Sequence, residues 1–311
     1  MIELFFLGTG ATLPLRNEGM PCIILRRKGR IFIFDFGEGC QVEYFKNGLN
    51  VNKPAQIFIT HMHGDHFLGL APFLQTLSLQ GRKKEIEIFG PKGIVEHLIN
   101  TINMDALKYP IRINEIENSG ILIETKEYWI ECIRAQHTVE AYSFIFNEKR
   151  RPGKFDVEKA KKLGIPEGPI RKRLQEGHVV KLGNRFIFPE DVLGEPRRGA
   201  KISYSGDTRF NEDFIRKALD SDILIHESTF SIEDSDEAVL TGHSTTEDAA
   251  NAARLSKSKV LFLTHISSRY NNKRKLLEEA RSIFRRTYLA RRNMRVVVFT
   301  ENEYTSLHIY G

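Results

Sequence analysis

The residues best suited to chemistry lie in one short segment, Thr60-His61-Met62-His63-Gly64-Asp65-His66. Side chains two positions apart in extended backbone share a face, so His61 and His63 can approach the same ion. The glycine that follows allows a sharp turn, which returns Asp65 and His66 to that space at the start of a helix. Imidazole nitrogens and carboxylate oxygens are good Zn²⁺ ligands. The segment therefore predicts a metal site rather than a group of unrelated surface histidines.

Three further candidate ligands each follow a run of residues that predicts a strand. His137 comes after the run 129–135, Asp207 after 201–205 and His265 after 259–264. A single histidine or aspartate in such a place is more often a cap or turn residue. Ligand sites of α/β sheets, however, lie beyond the carboxyl ends of the strands, so these side chains can meet in one crevice. Together they predict a second set of ligands.

The elements that must position these residues are short strands with helices between them. Runs rich in β-branched and aromatic residues predict strands over 2–7, 31–36, 55–60, 129–135, 201–205, 223–225, 259–264 and 295–299. Apolar spacing predicts a helix over 272–290, and Ser244-x-x-Glu247 predicts a capping box that begins another. This mixture predicts one α/β (α+β) sandwich domain over residues 1–311. Thr60-His61 and Thr264-His265 close similar apolar runs, which suggests two similar halves.

Residues 149–185, here the basic arm, differ in composition from the rest. They contain twelve Lys or Arg against four Asp or Glu, a surplus that exceeds the +6 of the whole chain. Two amphipathic pieces, 155–163 and 170–176, flank a Gly- and Pro-rich breaker, which predicts a protruding helical hairpin inserted between strands. A charge run is usually a solvated face. Because the charge is concentrated on one excursion, contact with a polyanion is favoured.

Length and composition exclude several classes of protein. The chain has 311 residues, of which 41% are hydrophobic and 28% charged, as in folded globular proteins. No apolar run reaches the roughly 18 residues of a membrane helix, and the first residues show no basic leader. We therefore expect a cytoplasmic protein without a membrane partner. Cys22, Cys40 and Cys132 lack C-x-x-C spacing and are expected to be buried apolar residues.

These motifs resemble those of a known family. The residues His61, His63, Asp65 and His66 stand as the H-x-H-x-D-H signature of the metallo-β-lactamase superfamily. Further stretches are similar, in the same order along the chain, to the ribonuclease Z family of tRNA 3′-processing endoribonucleases: 153–155, 161–169, 192–194, 205–208, 242–245 and 265–270. One departure lies after the first strand, where some members read P-x-K-x-R-N and residues 12–17 here read Thr-Leu-Pro-Leu-Arg-Asn.

The resemblance implies a four-layer αββα sandwich with the basic arm inserted as a substrate-binding exosite. It also implies two Zn²⁺ ions per subunit, with Mn²⁺ as an alternative. One ion would be held by His61, His63 and His137, and the other by Asp65, His66 and His265, with Asp207 as the bridge. The family further implies a homodimer in which the arm of one subunit serves the active site of the other.

The implied reaction removes the 3′ trailer from precursor tRNA by attack of a metal-activated hydroxide on a phosphodiester, which leaves a 3′-hydroxyl on the tRNA. Asp65 is the candidate that orients and deprotonates the water. The alternative is that its carboxylate acts only as a metal ligand. His243 is the candidate general acid for the leaving oxygen, with a capping role in its loop as the alternative. His226 and Glu227, which follow another strand, are candidates for orienting the ligands.

Contacts with RNA are expected at two places. Basic side chains of the arm would neutralise phosphates of structured RNA away from the cut, so affinity should fall steeply with salt. The candidates are Lys154, Lys161, Lys162, Arg171, Lys172 and Arg173. Ser268 and Arg269, just beyond His265, are candidates for contact with the scissile phosphate, and a simple loop role is an equal alternative.

Two other functions stay open from the sequence. One is hydrolysis of a small ester, thioester or phosphodiester on the same di-metal scaffold, which would not need the arm. The other is a noncatalytic RNA-binding module that keeps metals for folding, which would not need the chemistry of Asp65.

Overall fold

A computed structural model of the chain describes residues 1–13, 15, 17–53, 55–301 and 304–311. In the loop that departs from the family pattern, Pro14 and Arg16 lie outside the described residues. The strands are β1 (Ile2–Gly8), β2 (Cys22–Arg27), β3 (Arg30–Phe34), β4 (Ala55–Phe58), β5 (Ile86–Gly90), β6 (Ile111–Glu115), β7 (Gly120–Glu124), β8 (Tyr128–Arg134), β9 (Tyr142–Glu148), β10 (Val180–Leu182), β11 (Arg185–Ile187), β12 (Lys201–Tyr204), β13 (Ile223–Glu227), β14 (Leu261–Thr264), β15 (Thr287–Leu289), β16 (Met294–Glu301) and β17 (Tyr304–Tyr310).

The helices alternate with the strands along most of the chain. They are α1 (Cys40–Lys46), α2 (Gly64–Phe67), α3 (Leu70–Leu79), α4 (Ile94–Thr101), α5 (Val157–Lys162), α6 (Pro169–Gln175), α7 (Pro189–Val192), α8 (Glu212–Lys217), α9 (Ser235–Thr241), α10 (Thr246–Leu255) and α11 (Lys273–Ile283). Among these helices, none has the length and apolarity needed to cross a membrane.

Two large sheets are built on a similar plan. The first has the strand order β17-β16-β1-β2-β3-β4-β5-β6, and the second has the order β15-β14-β13-β12-β9-β8-β7. In each sheet antiparallel strands lead to a set of parallel neighbours, β3 to β6 in the first and β12 to β15 in the second. The first half of the chain supplies one sheet and the second half the other, while β16 and β17 return to extend the first sheet.

The two sheets pack face to face, and helices cover their outer faces. Successive side chains of a strand point to opposite faces: Phe6 lies in the cluster between the sheets, whereas Phe5 lies under the outer helices. The rings of Phe6 and Phe262 meet across the two sheets with their centroids 5.3 Å apart. Helices α1, α3 and α4 cover the first sheet, and α8, α10 and α11 cover the second. The four-layer αββα sandwich is confirmed.

The eight predicted strands are present as β1, β3, β4, β8, β12, β13, β14 and β16. The helix predicted over 272–290 is wrong in its second half, because α11 ends at Ile283 and the chain then forms β15. This segment pairs with the open edge of β14, and the ring of Tyr288 packs on Phe262. Backbone pairing at a sheet edge thus outweighs the helical spacing of the apolar residues.

The cap of α10 is shifted by one residue from its predicted place. The hydroxyl of Thr245 accepts from the backbone N–H of Asp248, and the Asp248 carboxylate accepts from the N–H of Thr245. The hydroxyl of Ser244 instead donates to the carbonyl of Thr208 at 2.6 Å, which ties the loop before α10 to the segment that follows β12. The three cysteines are buried free thiols, as predicted.

Between β9 and β12 the chain leaves the second sheet and forms a compact unit, here the arm unit (residues 149–200). The two predicted helical pieces are present as α5 and α6, and the hairpin β10–β11 and α7 complete the unit. Ala160, Leu174, Ile187 and Val192 form part of a small core separate from the sandwich, so the compact part extends beyond residue 185. Isolated bridges pair residue 151 with 197 and 155 with 193 where the chain leaves and returns.

Candidate metal centre

The residues predicted as ligands lie where strands of both sheets end. Each of them follows a strand or lies in the first turn of α2: His61 and His63 after β4, Asp65 and His66 on α2, His137 after β8, Asp207 after β12 and His265 after β14. All seven are brought together by this arrangement, although the first and last are 204 positions apart in the sequence.

The seven side chains form two triads with a carboxylate between them. The ligand atoms of the first triad lie within 4.8 Å of one another, and so do those of the second: His61, His63 and His137, then Asp65, His66 and His265. Oδ2 of Asp207 lies 3.6 Å from Nε2 of His61, 3.3 Å from Nε2 of His66 and 3.4 Å from Nε2 of His265. Two of the overlapping groups of possible ligands thus contain the residues that the resemblance assigns to the two ions, and metal binding by them stays a prediction.

The donor atoms face one another in a way that suits cations. Nδ1 of His63 lies 3.0 Å from Nε2 of His61 and 3.2 Å from Nε2 of His137. Oδ1 of Asp207 is buried and has no hydrogen-bond partner among the residues that the structure describes. Buried polar atoms are normally satisfied, and nitrogen and carboxylate donors of this kind bind Zn²⁺ and similar ions. The residues present therefore fit divalent metal ions.

Hydrogen bonds on the far side of the rings set their orientation. Nδ1 of His137 donates to the carbonyl of Gly242 at 2.7 Å, which leaves Nε2 to face the centre. Gly242 has a φ of 80°, and a Cβ there would lie 3.0 Å from that ring nitrogen, so glycine is needed for this contact. Bonds of this kind fix the ring and its tautomer. The role of this carbonyl was not predicted from the sequence.

Asp35 is a buried residue that the sequence analysis missed. Its carboxylate lies 2.8 Å from Nδ1 of His66 and accepts from the backbone N–H of Thr60 and the hydroxyl of Tyr204, each at 2.8 Å. The backbone of Asp35 has a φ of 57°, and β3 ends before it at Phe34 instead of continuing to residue 36. One acid inside an otherwise apolar run was the available signal, because a buried carboxylate needs partners.

Of the two residues predicted to orient ligands, only Glu227 faces the centre. Its carboxylate lies 2.9 Å from Nδ1 of His243 and accepts from the hydroxyl of Thr229 at 2.7 Å. The ring of His226 points the other way and packs 6.0 Å from the ring of Phe214. Successive residues of a strand face opposite sides, so only one of this pair can reach the centre.

Asp65 has partners on two sides. Its Oδ2 lies 3.4 Å from Nε2 of His265 and accepts from the backbone N–H of Thr12 at 3.0 Å, a contact that the sequence did not predict. Burial raises the pKa of Asp65, but His265 and His66 outweigh it and hold the pKa below its usual range. The carboxylate is therefore ionised at neutral pH, as a ligand requires.

Burial and charge set the protonation of the rings in different directions. Burial lowers the pKa of His61 and of His137, which favours the neutral rings that metal binding needs. Burial also opposes the charged form of His243, but the Glu227 carboxylate outweighs it and raises the pKa to about 9. The ring of His243 is therefore protonated on both nitrogens and positively charged at neutral pH, whereas the rings of His61 and His137 are neutral.

Comparison with known proteins identifies the family. Ribonuclease Z of Nitrosopumilus maritimus (strain SCM1) is 44% identical over 285 residues, which cover 91% of this chain and 95% of that protein. Ribonuclease Z of Oceanobacillus iheyensis is 40% identical over 298 residues, which cover 93% of this chain and 97% of that protein. The chain belongs to the ribonuclease Z family.

Solved structures and a family model extend the ribonuclease Z comparison. The short form of human tRNase Z covers 95% of this chain with a TM-score of 0.68 and 27% identity, over 98% of its own length. The metallo-β-lactamase fold protein YhfI from Bacillus subtilis has the same TM-score at 15% identity over 94% of this chain and 98% of its own, and shows the fold alone. A family model described as anti-Pycsar protein Apyc1 matches residues 2–150. Ribonuclease Z membership on this fold implies divalent metal ions, which the clustered side chains could bind.

The basic side chains predicted to contact RNA differ in whether an acidic side chain lies at ion-pair distance from them. Lys161 lies 3.0 Å from Glu158, Lys172 lies 3.9 Å from Glu176, and Arg171 pairs with Glu167 at 3.2 Å. Within the described residues, Lys162 and Arg173 have no carboxylate at ion-pair distance. Lys154 is exposed near the base of the arm unit.

Ser268 and Arg269 lie beyond His265, as their positions in the sequence require. Nη1 and Nη2 of Arg269 each donate to the Glu237 carboxylate on α9 at 2.6 Å, and the guanidinium group lies over the ring of Phe230. Contact between Arg269 and a scissile phosphate would require this ion pair to open. Ser268 is half-buried in the same loop.

Proposed function

We propose that this chain removes 3′ trailers from precursor tRNA with two Zn²⁺ ions per subunit, leaving a 3′-hydroxyl on the tRNA. Membership of the ribonuclease Z family makes it a metal-dependent endoribonuclease that acts at tRNA 3′ ends. The observation that carries the proposal is the pair of triads with Asp207 between them. Mn²⁺ is the alternative ion, since the same donors accept it. Cytoplasmic localisation stays a prediction.

The mechanism assigns separate tasks to the side chains around the phosphodiester. The two triads would hold divalent ions, whose chemistry when bound would be to lower the pKa of a water toward neutrality and to neutralise phosphate charge. Asp65, fixed by the backbone N–H of Thr12, orients the attacking water. Its lowered pKa makes it a better ligand and orienting group than a base. His243, held by Glu227, donates a proton to the 3′-oxygen as it leaves.

The arm unit supports a homodimer in which one subunit binds RNA for the other. β9 and β12 are antiparallel, and Lys201 at the start of β12 pairs with Asn147 near the end of β9. The chain therefore leaves for the arm unit at the end of β9 and returns at the start of β12, whereas Asp207 lies beyond the opposite end of β12. An arm unit that begins at the end of these strands away from its own metal centre is well placed to serve a second copy.

The direct test is to incubate the protein with end-labelled precursor tRNA and to map both product ends. We expect one cut near the 3′ end of the tRNA, a 3′-hydroxyl on the tRNA and a 5′-phosphate on the trailer. Chelation should abolish cleavage and added Zn²⁺ or Mn²⁺ should restore it. Asp65→Ala should reduce cleavage by roughly a thousandfold or more, while the exposed acid Glu96 changed to Ala should have no effect. Unchanged cleavage by Asp65→Ala would overturn the proposal.

Hydrolysis of a small ester or phosphodiester is the alternative, and the arm unit separates the two. Gly153 and Gly194 touch through their backbones, since a Cβ on Gly153 would lie 1.8 Å from the carbonyl oxygen of Gly194. Removing residues 154–193 and joining these glycines therefore takes out the whole small core without cutting it. We expect this variant to lose precursor-tRNA cleavage and to keep hydrolysis of bis(p-nitrophenyl) phosphate. Equal loss of both activities would contradict a role of the arm in binding RNA.

A further inference from the structure

The outward face of the β10–β11 hairpin in the arm unit carries aromatic rings where polar residues are usual. Strands β10 and β11 pair Val180 with Ile187 and Lys181 with Phe186. Val180 and Ile187 are 6% and 4% exposed and lie in the small core of the arm unit. Because side chains alternate along a strand, Lys181 and Phe186 lie on the opposite face, toward solvent.

Phe188 continues this outward face beyond the end of β11. Its backbone is extended, with φ of −97° and ψ of 151°, so it shares a side with Phe186 two residues earlier. The two phenylalanines are 62% and 45% exposed. The ammonium group of Lys181 lies 5.9 Å from the centre of the Phe186 ring. Two flat apolar rings with a cation beside them thus form one exposed face.

The charge of the surrounding surface indicates what this face binds. Within the described residues, Lys162, Arg173 and Arg185 of the arm unit have no carboxylate at ion-pair distance, so the unit presents uncompensated positive charge. A nucleic acid offers phosphates to such a surface and the flat faces of its bases to aromatic rings. In structured RNA the bases that can stack on a protein ring are those left unstacked in loops and at helix ends.

We propose that Phe186 and Phe188 stack on exposed bases in the folded body of the RNA substrate. This inference rests on the proposed function and deepens it. Contacts with phosphates depend only on the charge of the RNA, whereas stacking on unstacked bases depends on how the RNA is folded. Phe186 and Phe188 are binding residues at a distance from the chemistry. They raise affinity for a folded precursor tRNA over an RNA of equal charge that lacks unstacked loop bases.

The test compares cleavage by the parent chain, Phe186→Ala, Phe188→Ala and the double variant on three substrates. These are a precursor tRNA, a minimal acceptor stem with the same trailer, and bis(p-nitrophenyl) phosphate. On precursor tRNA we expect KM to rise about tenfold for each ring removed, with kcat little changed. On the other two substrates we expect no change. Leu79→Ala, which alters an 83% exposed side chain on α3, is the matched control.

Two further measurements separate stacking from simple apolar or electrostatic contact. Phe186→Trp should keep a low KM, and its fluorescence should be quenched by precursor tRNA beyond that of the parent, whose only tryptophan is Trp129. Phe186→Leu should not keep the low KM. The dependence of log KM on log salt should stay parallel in the Phe variants and become shallower in Lys162→Ala with Arg173→Ala, since only the latter removes counterion release.

Each outcome decides the inference separately from the proposed function. If the parent cleaves precursor tRNA and the double variant has an unchanged KM, the stacking inference is wrong and the proposed function stands. If Phe186→Leu has the same KM as the parent, the contact is a simple apolar one and the stacking inference is wrong. If the double variant changes the oligomeric mass, the face binds protein instead of bases. If the parent does not cleave precursor tRNA, the proposed function fails first.

Discussion

At the scale of single residues, His243 differs from the rings around it in having a carboxylate on one side and the crevice on the other. Glu227 holds Nδ1 at 2.9 Å, while the ring lies 4.9 Å from that of His137 and 5.5 Å from that of His265. A ring held in this way can present Nε2 to a leaving oxygen. A residue that only capped its loop would not need the buried acid.

We expect His243→Ala to lower kcat for precursor tRNA by roughly a hundred- to ten-thousandfold, the usual contribution of a general acid. Hydrolysis of bis(p-nitrophenyl) phosphate should change little, because p-nitrophenolate leaves without a proton. His226→Ala is the control, since its ring packs against Phe214 away from the centre. Equal losses on both phosphodiesters would show that His243 supports metal binding or structure instead.

Asp35 leads to a second prediction at this scale. Asparagine tolerates left-handed backbone, so Asp35→Asn keeps the φ of 57° while removing the charge that faces His66. Since partners of this kind tune the metal ligands, we expect metal affinity to fall about 10- to 100-fold in competition with a chromophoric chelator. Asp220→Asn, at an exposed aspartate with a φ of 60°, is the matched control. An affinity equal to that of the parent would contradict the role given to Asp35.

At the scale of elements, Asp222 at the start of β13 connects the returning end of the arm unit to the sandwich. Its buried carboxylate accepts from Arg198 at 3.0 Å and from the backbone N–H of Lys201 at 2.9 Å, and it also bonds Thr305. Burial opposes ionisation of Asp222, but the bonds from Arg198 and Thr305 outweigh it and lower the pKa. The charged form is therefore bound more strongly in the folded state than in the unfolded one.

Asp222→Asn should accordingly lower the free energy of unfolding by roughly 2 to 3 kcal/mol at pH 7. The folded-state pKa lies below the unfolded value of about 4, so this contribution is complete above that pH and is lost as the pH falls through the folded-state pKa. Urea titrations at pH 7 and pH 3 should show the gap between parent and variant closing at the lower pH. A gap that stayed constant would contradict the assignment, and Asp220→Asn should show no gap at either pH.

The same scale shows why some elements could be predicted from the sequence and others could not. β4 and β14 are apolar runs followed by histidines, so both the strand and the ligand are visible in the sequence. β15 has only three residues and depends on the open edge of β14, a neighbour that local spacing does not reveal. Asp35 contacts His66, which is 31 positions away in the sequence, and Gly242 contacts His137, which is 105 positions away. No single-sequence pattern encodes such contacts.

At the scale of the whole molecule, the position of the arm unit relative to the metal centre is the observation on which the proposed dimer rests. The arm unit joins the second sheet at the start of β12, and the metal centre lies beyond the far end of that strand. RNA bound by the arm unit of one subunit would therefore lie toward the start of β12, away from that subunit's own centre. A second copy in the right orientation brings an arm and a centre together.

Mixed dimers test this arrangement. One subunit carries Asp65→Ala and an intact arm unit, and the other lacks residues 154–193 and keeps its seven ligands, so each homodimer should be nearly inactive on precursor tRNA. A heterodimer isolated through two different affinity tags has one complete combination, an arm from the first subunit beside a centre from the second. We expect it to recover about half of the parent activity, because one of the two centres works. A heterodimer as inactive as the two variant homodimers would show that each arm serves its own centre. Sedimentation of the unsubstituted protein as a monomer would exclude the arrangement altogether.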